Sequence, residues 1–421
     1  LDKGVIMREN FIPKAWYDLR ADLNIQLEPL VFERDNSSIY TDELLKGSDH
    51  AYVKIPEPVL ELYAEYRPTP LRRAYSFEKS INSYCKIYYK YEGDNPVGSH
   101  KINTAIPQAY FAQKNGFNSM TTATGAGQWG SAIAFASHKF CLKSTIFFVN
   151  ISLKQKPYRK VLMEMLGAQV ISSPSTVTSI GKLNSTDPKK KNGNMGLATS
   201  EAVEYAITQK ATFGETSHAY GVILHQTVIG LESIKQMEMF DDFPDIVIGC
   251  VGGGTNFGGI SIPFLKYKIA EKHNIRFIAV EPKANSTLLH GDYKYDYADS
   301  GKLTPMIKMY TLGHTHTPDP IHAGGLRYHG FDPLLSKLYH DGHIEAQAYD
   351  QREIFAAGIS FYKSEGIVPA PESSHAIRST IEEAQKKDNK NKSILFCLSG
   401  HGYFDLSGYD FYMKNLHYDK N

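Results

Sequence analysis

Apolar strand-like runs alternating with helical patterns constrain this sequence more than any other feature. The runs 144–149 (STIFFV), 245–250 (DIVIGC) and 393–398 (SILFCL) are apolar at nearly every position, and others fall at 84–92, 118–123, 168–172 and 275–280. Strands apolar on both faces are covered on both faces, which is the pattern of parallel sheets joined by crossover helices. Helical periodicity fills the intervals 101–115, 128–142, 157–166, 199–210, 225–239, 257–272, 350–364 and 373–386. This order predicts an α/β fold, and 421 residues give room for two open, mostly parallel sheets flanked by helices. Residues 1–65, with weak periodicity, read as an arm on the main body, and 181–196 (GKLNSTDPKKKNGNMG) as a surface excursion.

Composition excludes several classes. Apolar residues make up 42% and charged residues 22%, ordinary for a folded core, and a net charge of +1 offers no electrostatic lever for nucleic acid or a membrane. Cys85, Cys141, Cys250 and Cys397 are scattered without a CxxC pair, so neither a zinc site nor a disulfide framework is expected. No apolar run approaches the ~18 residues of a membrane span. The opening LDKGVIMREN lacks the apolar region of a signal peptide, Met7 is a candidate natural start, and a cytoplasmic setting is expected. The histidines of HTHT (314–317) and HDGH (340–343) lie in loop-like segments without a helical ligand set, so no metal site is expected there.

Three segments carry chemistry. TTATGAGQWG (121–130) turns from a strand into a helix through Gly125, Gly127 and Gly130. The spacing matches the dinucleotide fingerprint, but that motif needs an acidic residue about 20 positions on. Here the next strand ends at Asn150 and the next carboxylate is Glu164, so a plain turn or a small-anion loop remains. IGCVGGGTNFGG (248–259) runs a buried strand through Gly252, Gly253, Gly254, Thr255 and Asn256 into a helix, without the lysine of a nucleoside triphosphate loop. Glycines and a helix N-terminus together suit a monophosphate. In NPVGSHKINTAI (95–106), Lys101 opens a helix, where a positive charge is disfavoured and a neutral amine suits Schiff-base chemistry. Ser399 in CLSGHG follows a strand, and Glu372 in PESSHA starts a helix; each could simply cap a turn.

The order RPTPL, GSHKINTA, TGAGQWG, GCVGGGTN, AGGLRYHG, EGIVPAPESSHA and LSGHG, from about residue 66 to 415, resembles the tryptophan synthase β chains of the fold type II family of pyridoxal-phosphate (PLP) enzymes. The arm and GLRYHG are similar to the long, second type. The resemblance implies PLP between an N-terminal α/β domain at 66–240, mobile at about 118–210, and a C-terminal domain at 241–421. It implies that Lys101 forms the Schiff base and is the catalytic residue. Gly252, Gly253, Gly254, Thr255 and Asn256 match the phosphate cup, Ser399 the partner of the pyridine nitrogen, and His100, Asn103 and Glu372 further cofactor contacts. Thr124, Gly125, Ala126, Gly127, Gln128 and Trp129 match the loop around the amino-acid carboxylate. Arg327 and His329 are expected at the donor's leaving group. A monovalent cation, a homodimer and an α-chain partner are family expectations.

One residue departs from the pattern. The family carries glutamate directly before Thr-Gly-Ala-Gly, as acid for the leaving hydroxyl and partner of the indole N–H, and here Ala123 stands there. The expected activity is β-replacement of L-serine by indole, with O-phospho-L-serine favoured because phosphate leaves without an acid. The rivals are another fold type II β-replacement or β-elimination, such as cysteine synthesis or serine deamination, and a non-catalytic paralogue.

Overall fold

The computed structural model describes residues 11–188 and 190–415, so Met7 lies outside the described residues. Two parallel sheets carry the fold. The larger has six strands, in the order Glu345–Tyr349, Arg276–Pro282, Ile246–Cys250, Ser393–Leu398, Lys86–Tyr91 and Leu71–Arg73. All neighbours are parallel except Leu71–Arg73, which runs antiparallel on Lys86–Tyr91. The smaller, of four parallel strands, orders Gln169–Ser173, Lys143–Val149, Ser119–Thr124 and Thr212–Phe213. Ile246–Cys250 and Ser393–Leu398 are buried at every residue, which is why both read as continuous apolar runs.

The strands missing from the apolar pattern are short or have an exposed side. Glu345–Tyr349 (EAQAY) is an edge strand of mixed polarity, and Asp292–Tyr297 (DYKYDY), paired antiparallel with Met306–Thr311, alternates charge with tyrosine. The helical run expected at 225–239 is two helices, Tyr220–Gln226 and Val228–Glu238. At the break between them the Thr227 hydroxyl donates to the Leu224 carbonyl and accepts from the Tyr17 N–H.

A cut at residue 240 does not divide the sheets. Leu71–Arg73 and Lys86–Tyr91 precede it, yet Lys86–Tyr91 pairs with Ser393–Leu398 near the other end of the chain. Residues 119–213 form the smaller sheet as an insertion between the two parts of the larger. Helix Ile102–Lys114 follows the last strand before that insertion, so its N-terminal end lies where the sheets face each other. Within the arm Ala15–Tyr17 pairs with Tyr52–Lys54, and the arm packs on the main body, the Trp16 ring lying 4.5 Å from that of His225. Among the described residues no helix is long and apolar enough to cross a membrane.

Candidate active site

Lys101 precedes helix Ile102–Lys114 and opens onto a cavity of two lobes, both lined by Lys101, Gln128, Gly253, Thr255 and Gly325. Burial lowers the Lys101 pKa and Glu372 only partly opposes it, so the amine loses its proton more readily than a surface lysine. Next to it, His100 is pushed down to about 3, by burial first and then by Lys101, and is neutral. Its ring nitrogens lie 3.3 Å from the Ser399 carbonyl and 3.2 Å from Thr255 Oγ1.

The first lobe is built around the larger sheet. Strand Ile246–Cys250 runs into Gly254, whose φ of 97° caps helix Thr255–Ile269 without a side-chain hydrogen bond. A Cβ at Gly254 would also lie 2.6 Å from the Phe331 ring, so only glycine fits. The backbone N–H groups of Gly252, Gly253, Gly254, Thr255 and Asn256 find no acceptor among the described residues. Asn256 donates to the Cys250 carbonyl at 2.6 Å while its buried Oδ1 has no partner. Ser399, just past strand Ser393–Leu398, lies 2.8 Å from Ser373 Oγ.

The second lobe belongs to the smaller sheet. Thr124 Oγ1 accepts from the N–H groups of Gly127 at 3.2 Å and Gly130 at 3.1 Å, folding the loop over the strand end. Gly127, at φ 91°, starts helix Gln128–Lys139, and the N–H groups of Gly125, Ala126 and Gln128 have no acceptor among the described residues. Glu372 lines the first lobe and accepts from the N–H of Gly325, which lines both, at 2.8 Å. Burial opposes its ionisation, but Lys156, the Gly325 N–H and Arg159 outweigh that and hold its pKa below the ordinary value.

Not every expected residue reaches this cavity. The Asn103 amide is consumed by a buried network, donating to Glu92 and accepting from Arg67. His329 bonds the Tyr297 carbonyl at 2.9 Å and packs on the Tyr328 ring, away from the lining. Ala123 is fully buried in an apolar cluster with Phe147, Ala198, Ala202 and Phe213, against which Met195 packs. Arg327 does line the second lobe and donates to Ser152 Oγ; burial brings its pKa down to about 10. Met195, Thr216, Ser217 and Tyr328 also line it and were not anticipated. Thr216 and Ser217 follow the two-residue strand Thr212–Phe213, too short for a periodic signal. Met195 comes from the end of the expected surface excursion. Of the paired histidines, His314 bonds Asp296 at 2.6 Å and His316 bonds Asn285 at 2.9 Å.

Residues 62–400 match the family of pyridoxal-phosphate dependent enzymes. The chain is 48% identical to the tryptophan synthase beta chain 2 of Methanosarcina acetivorans, over 97% of this chain and 96% of that one. It is 48% identical to the tryptophan synthase beta chain of Pyrococcus horikoshii, over 97% and 92%. In fold it is similar to a T.th. threonine deaminase, at 17% identity and TM-score 0.61 over 82% of this chain and 96% of that one. It is likewise similar to an O-ureido-L-serine synthase, at 15% identity and TM-score 0.63 over 87% and 96%.

The residues present fit PLP: a row of acceptorless N–H groups at a helix N-terminus for its phosphate, Lys101 for its aldehyde carbon, and Ser399 for its ring nitrogen. With a site of this chemistry and near-complete coverage of relatives at close to half identity, the chain belongs to the tryptophan synthase β chains, lyases that depend on pyridoxal phosphate.

Proposed function

We propose that this chain forms L-tryptophan from indole and an amino-acid donor, and that O-phospho-L-serine is a better donor than L-serine. The observation that carries the donor preference is Ala123: a methyl group packed in an apolar cluster stands where a proton-donating side chain is expected. When bound, PLP supplies the electron sink for bond changes at the donor's α and β carbons. The protein's own work is to bind, orient and move protons. The free N–H groups of Gly125, Ala126 and Gln128 suit the donor's α-carboxylate. Lys101 Nζ, kept easy to deprotonate by burial, takes the α-proton.

The leaving group decides between donors. Serine expels hydroxide, whose conjugate acid has a pKa of about 15.7, unless an acid protonates it. Phosphate leaves with a second pKa of about 6. General acid help is worth roughly 10²–10⁴-fold, so its loss cripples serine and barely touches the phosphate ester. Arg327, in the second lobe, supplies a fork suited to phosphate. His329 takes no part in this, being turned to Tyr297. The test compares indole-to-tryptophan rates with both donors in the wild type and in Arg327→Ala. The expected outcome is a phosphoserine rate at least about 10²-fold above serine, falling selectively in Arg327→Ala. Equal rates with both donors overturn the preference, and no tryptophan from either overturns the reaction. The same reading carries a homodimer and an α-chain partner.

A further inference from the structure

A carboxyl group, that of Glu215, lies two residues past the end of the strand that flanks Ala123's own. Thr121 pairs with Phe213 in the parallel ladder, and the Gly214 N–H donates to the Thr121 carbonyl at 2.8 Å. Continuing that register sets Glu215 next to Ala123. Phe213, two residues before Glu215, packs in the same apolar cluster as Ala123. The Glu215 backbone is clamped to the Lys101 helix: its N–H donates to Gln108 Oε1 at 2.9 Å and its carbonyl accepts from Gln108 Nε2 at 2.8 Å.

Its two oxygens differ. Oε1 accepts from the N–H groups of Thr216 at 2.8 Å and Ser217 at 3.3 Å, the two following residues, which line the second lobe. The hydrogen bonds found among the described residues all go to Oε1 and none to Oε2, and the residue is 7% exposed. Burial pushes the Glu215 pKa up, against the nearby backbone N–H groups of Thr216, Ser217 and His218. The lobe-lining Tyr328 feels this carboxylate: after burial, Glu215 is the next largest influence raising its phenol pKa. A buried carboxylate with one oxygen anchored and the other without such a bond has a binding role available that packing does not explain.

We infer that Glu215 takes up the carboxylate function absent at Ala123 toward the incoming nucleophile, its Oε2 accepting the indole N–H while carbon 3 attacks. This rests on the tryptophan-forming reading above. In that step the indole C2–C3 π pair forms the bond to the donor's β carbon, whose leaving group has departed with its own electron pair. The indole nitrogen becomes cationic beside the carboxylate. The α carbon then regains the proton that Lys101 Nζ took from it, the carbon 3 proton is released to water and the ring is restored, so indole and phosphoserine give tryptophan and inorganic phosphate.

The test uses the PLP-loaded enzyme with Glu215→Gln, which keeps an oxygen for the Thr216 and Ser217 N–H groups but removes the charge. Glu215→Asp serves as the conservative variant. Three rates are read: phosphate release from phosphoserine without nucleophile, tryptophan formation with indole, and thioether formation with 2-mercaptoethanol, which has no N–H to stabilise. Glu215→Gln is expected to lower kcat/KM for indole by roughly 10²-fold, with phosphate release and thiol addition within about threefold of wild type. Glu215→Asp is expected to recover part of the indole rate. Indole and thiol rates falling together mean that Glu215 acts through the fold, and an unchanged indole rate means that it does not act; either overturns the inference. A wild-type enzyme that adds thiols but never indole fails the tryptophan reading itself, and this inference with it.

Discussion

Thr255 touches both halves of the cofactor lobe, with its N–H in the acceptorless row and its hydroxyl 3.2 Å from His100 Nε2. It is a cleaner probe of phosphate binding than Gly253. A Cβ at Gly253 would lie 2.5 Å from Ser217 Cβ, so any side chain there disturbs the junction of the two lobes as well as the phosphate approach. Thr255→Val keeps shape and removes one hydroxyl. A hydrogen bond to a charged group contributes ~1.5–3 kcal/mol, so the variant is expected to hold PLP about tenfold more weakly or worse. Equilibrium dialysis of the cofactor measures this, and unchanged retention places the phosphate elsewhere.

At the scale of one element, the Lys101 helix is pinned by buried charges. Arg67 donates to Glu232 at 2.6 Å and to Asn103 Oδ1 at 2.6 Å, Asn103 donates to Glu92 at 2.9 Å, and Lys90 donates to Glu232 at 2.8 Å. Asn103 is two residues from Lys101, so this network sets where the lysine enters the cavity. Burial opposes ionisation of Glu92, but Arg67 and Lys90 outweigh it and bring its pKa down to about 2. A carboxylate depressed in the folded state stabilises fully above its unfolded pKa of ~4.3, and this is lost as pH falls toward the folded value. Stability is therefore expected to drop between about pH 4 and pH 2. Glu92→Gln leaves Arg67 short of a counter-charge, at a cost of ~3–5 kcal/mol at neutral pH, and flattens the acid dependence. Urea midpoints against pH for both proteins check the magnitude and the sign, and parallel acid profiles would remove Glu92 from the account.

Across the whole molecule, the arm is part of the core. Trp16 is 1% exposed, Ile55 and Val59 are fully buried, and Tyr40 packs edge-on against Phe213 in the smaller sheet. The Tyr17 N–H satisfies Thr227 at the break between two helices of the main body. Trp16→Ala is expected to cost ~3–5 kcal/mol, the range for a large aromatic removed from a packed site. Chemical denaturation measures this, and a loss below about 1 kcal/mol would mean that the arm docks without contributing to the core.

The elements apolar on both faces, and the loops whose glycines meet backbone constraints, were written in the sequence. Strands such as Ile246–Cys250 and Ser393–Leu398, the turn into Gly254 and the lysine before helix Ile102–Lys114 are local facts, set by burial on two sides or by a φ that only glycine adopts readily. Adjacency was decided by the tertiary structure. Strand pairing placed Lys86–Tyr91 beside Ser393–Leu398 across the chain, and the pairing of Thr121 with Phe213 brought the segment of Glu215 to the strand of Ala123, far away in sequence. Competition for partners turned Asn103 to Arg67 and Glu92, and His329 to Tyr297, because a buried polar group bonds the nearest partner that the packed fold offers. Residue type and spacing disclose what a side chain can do, whereas its neighbours exist only once the sheets have closed on each other.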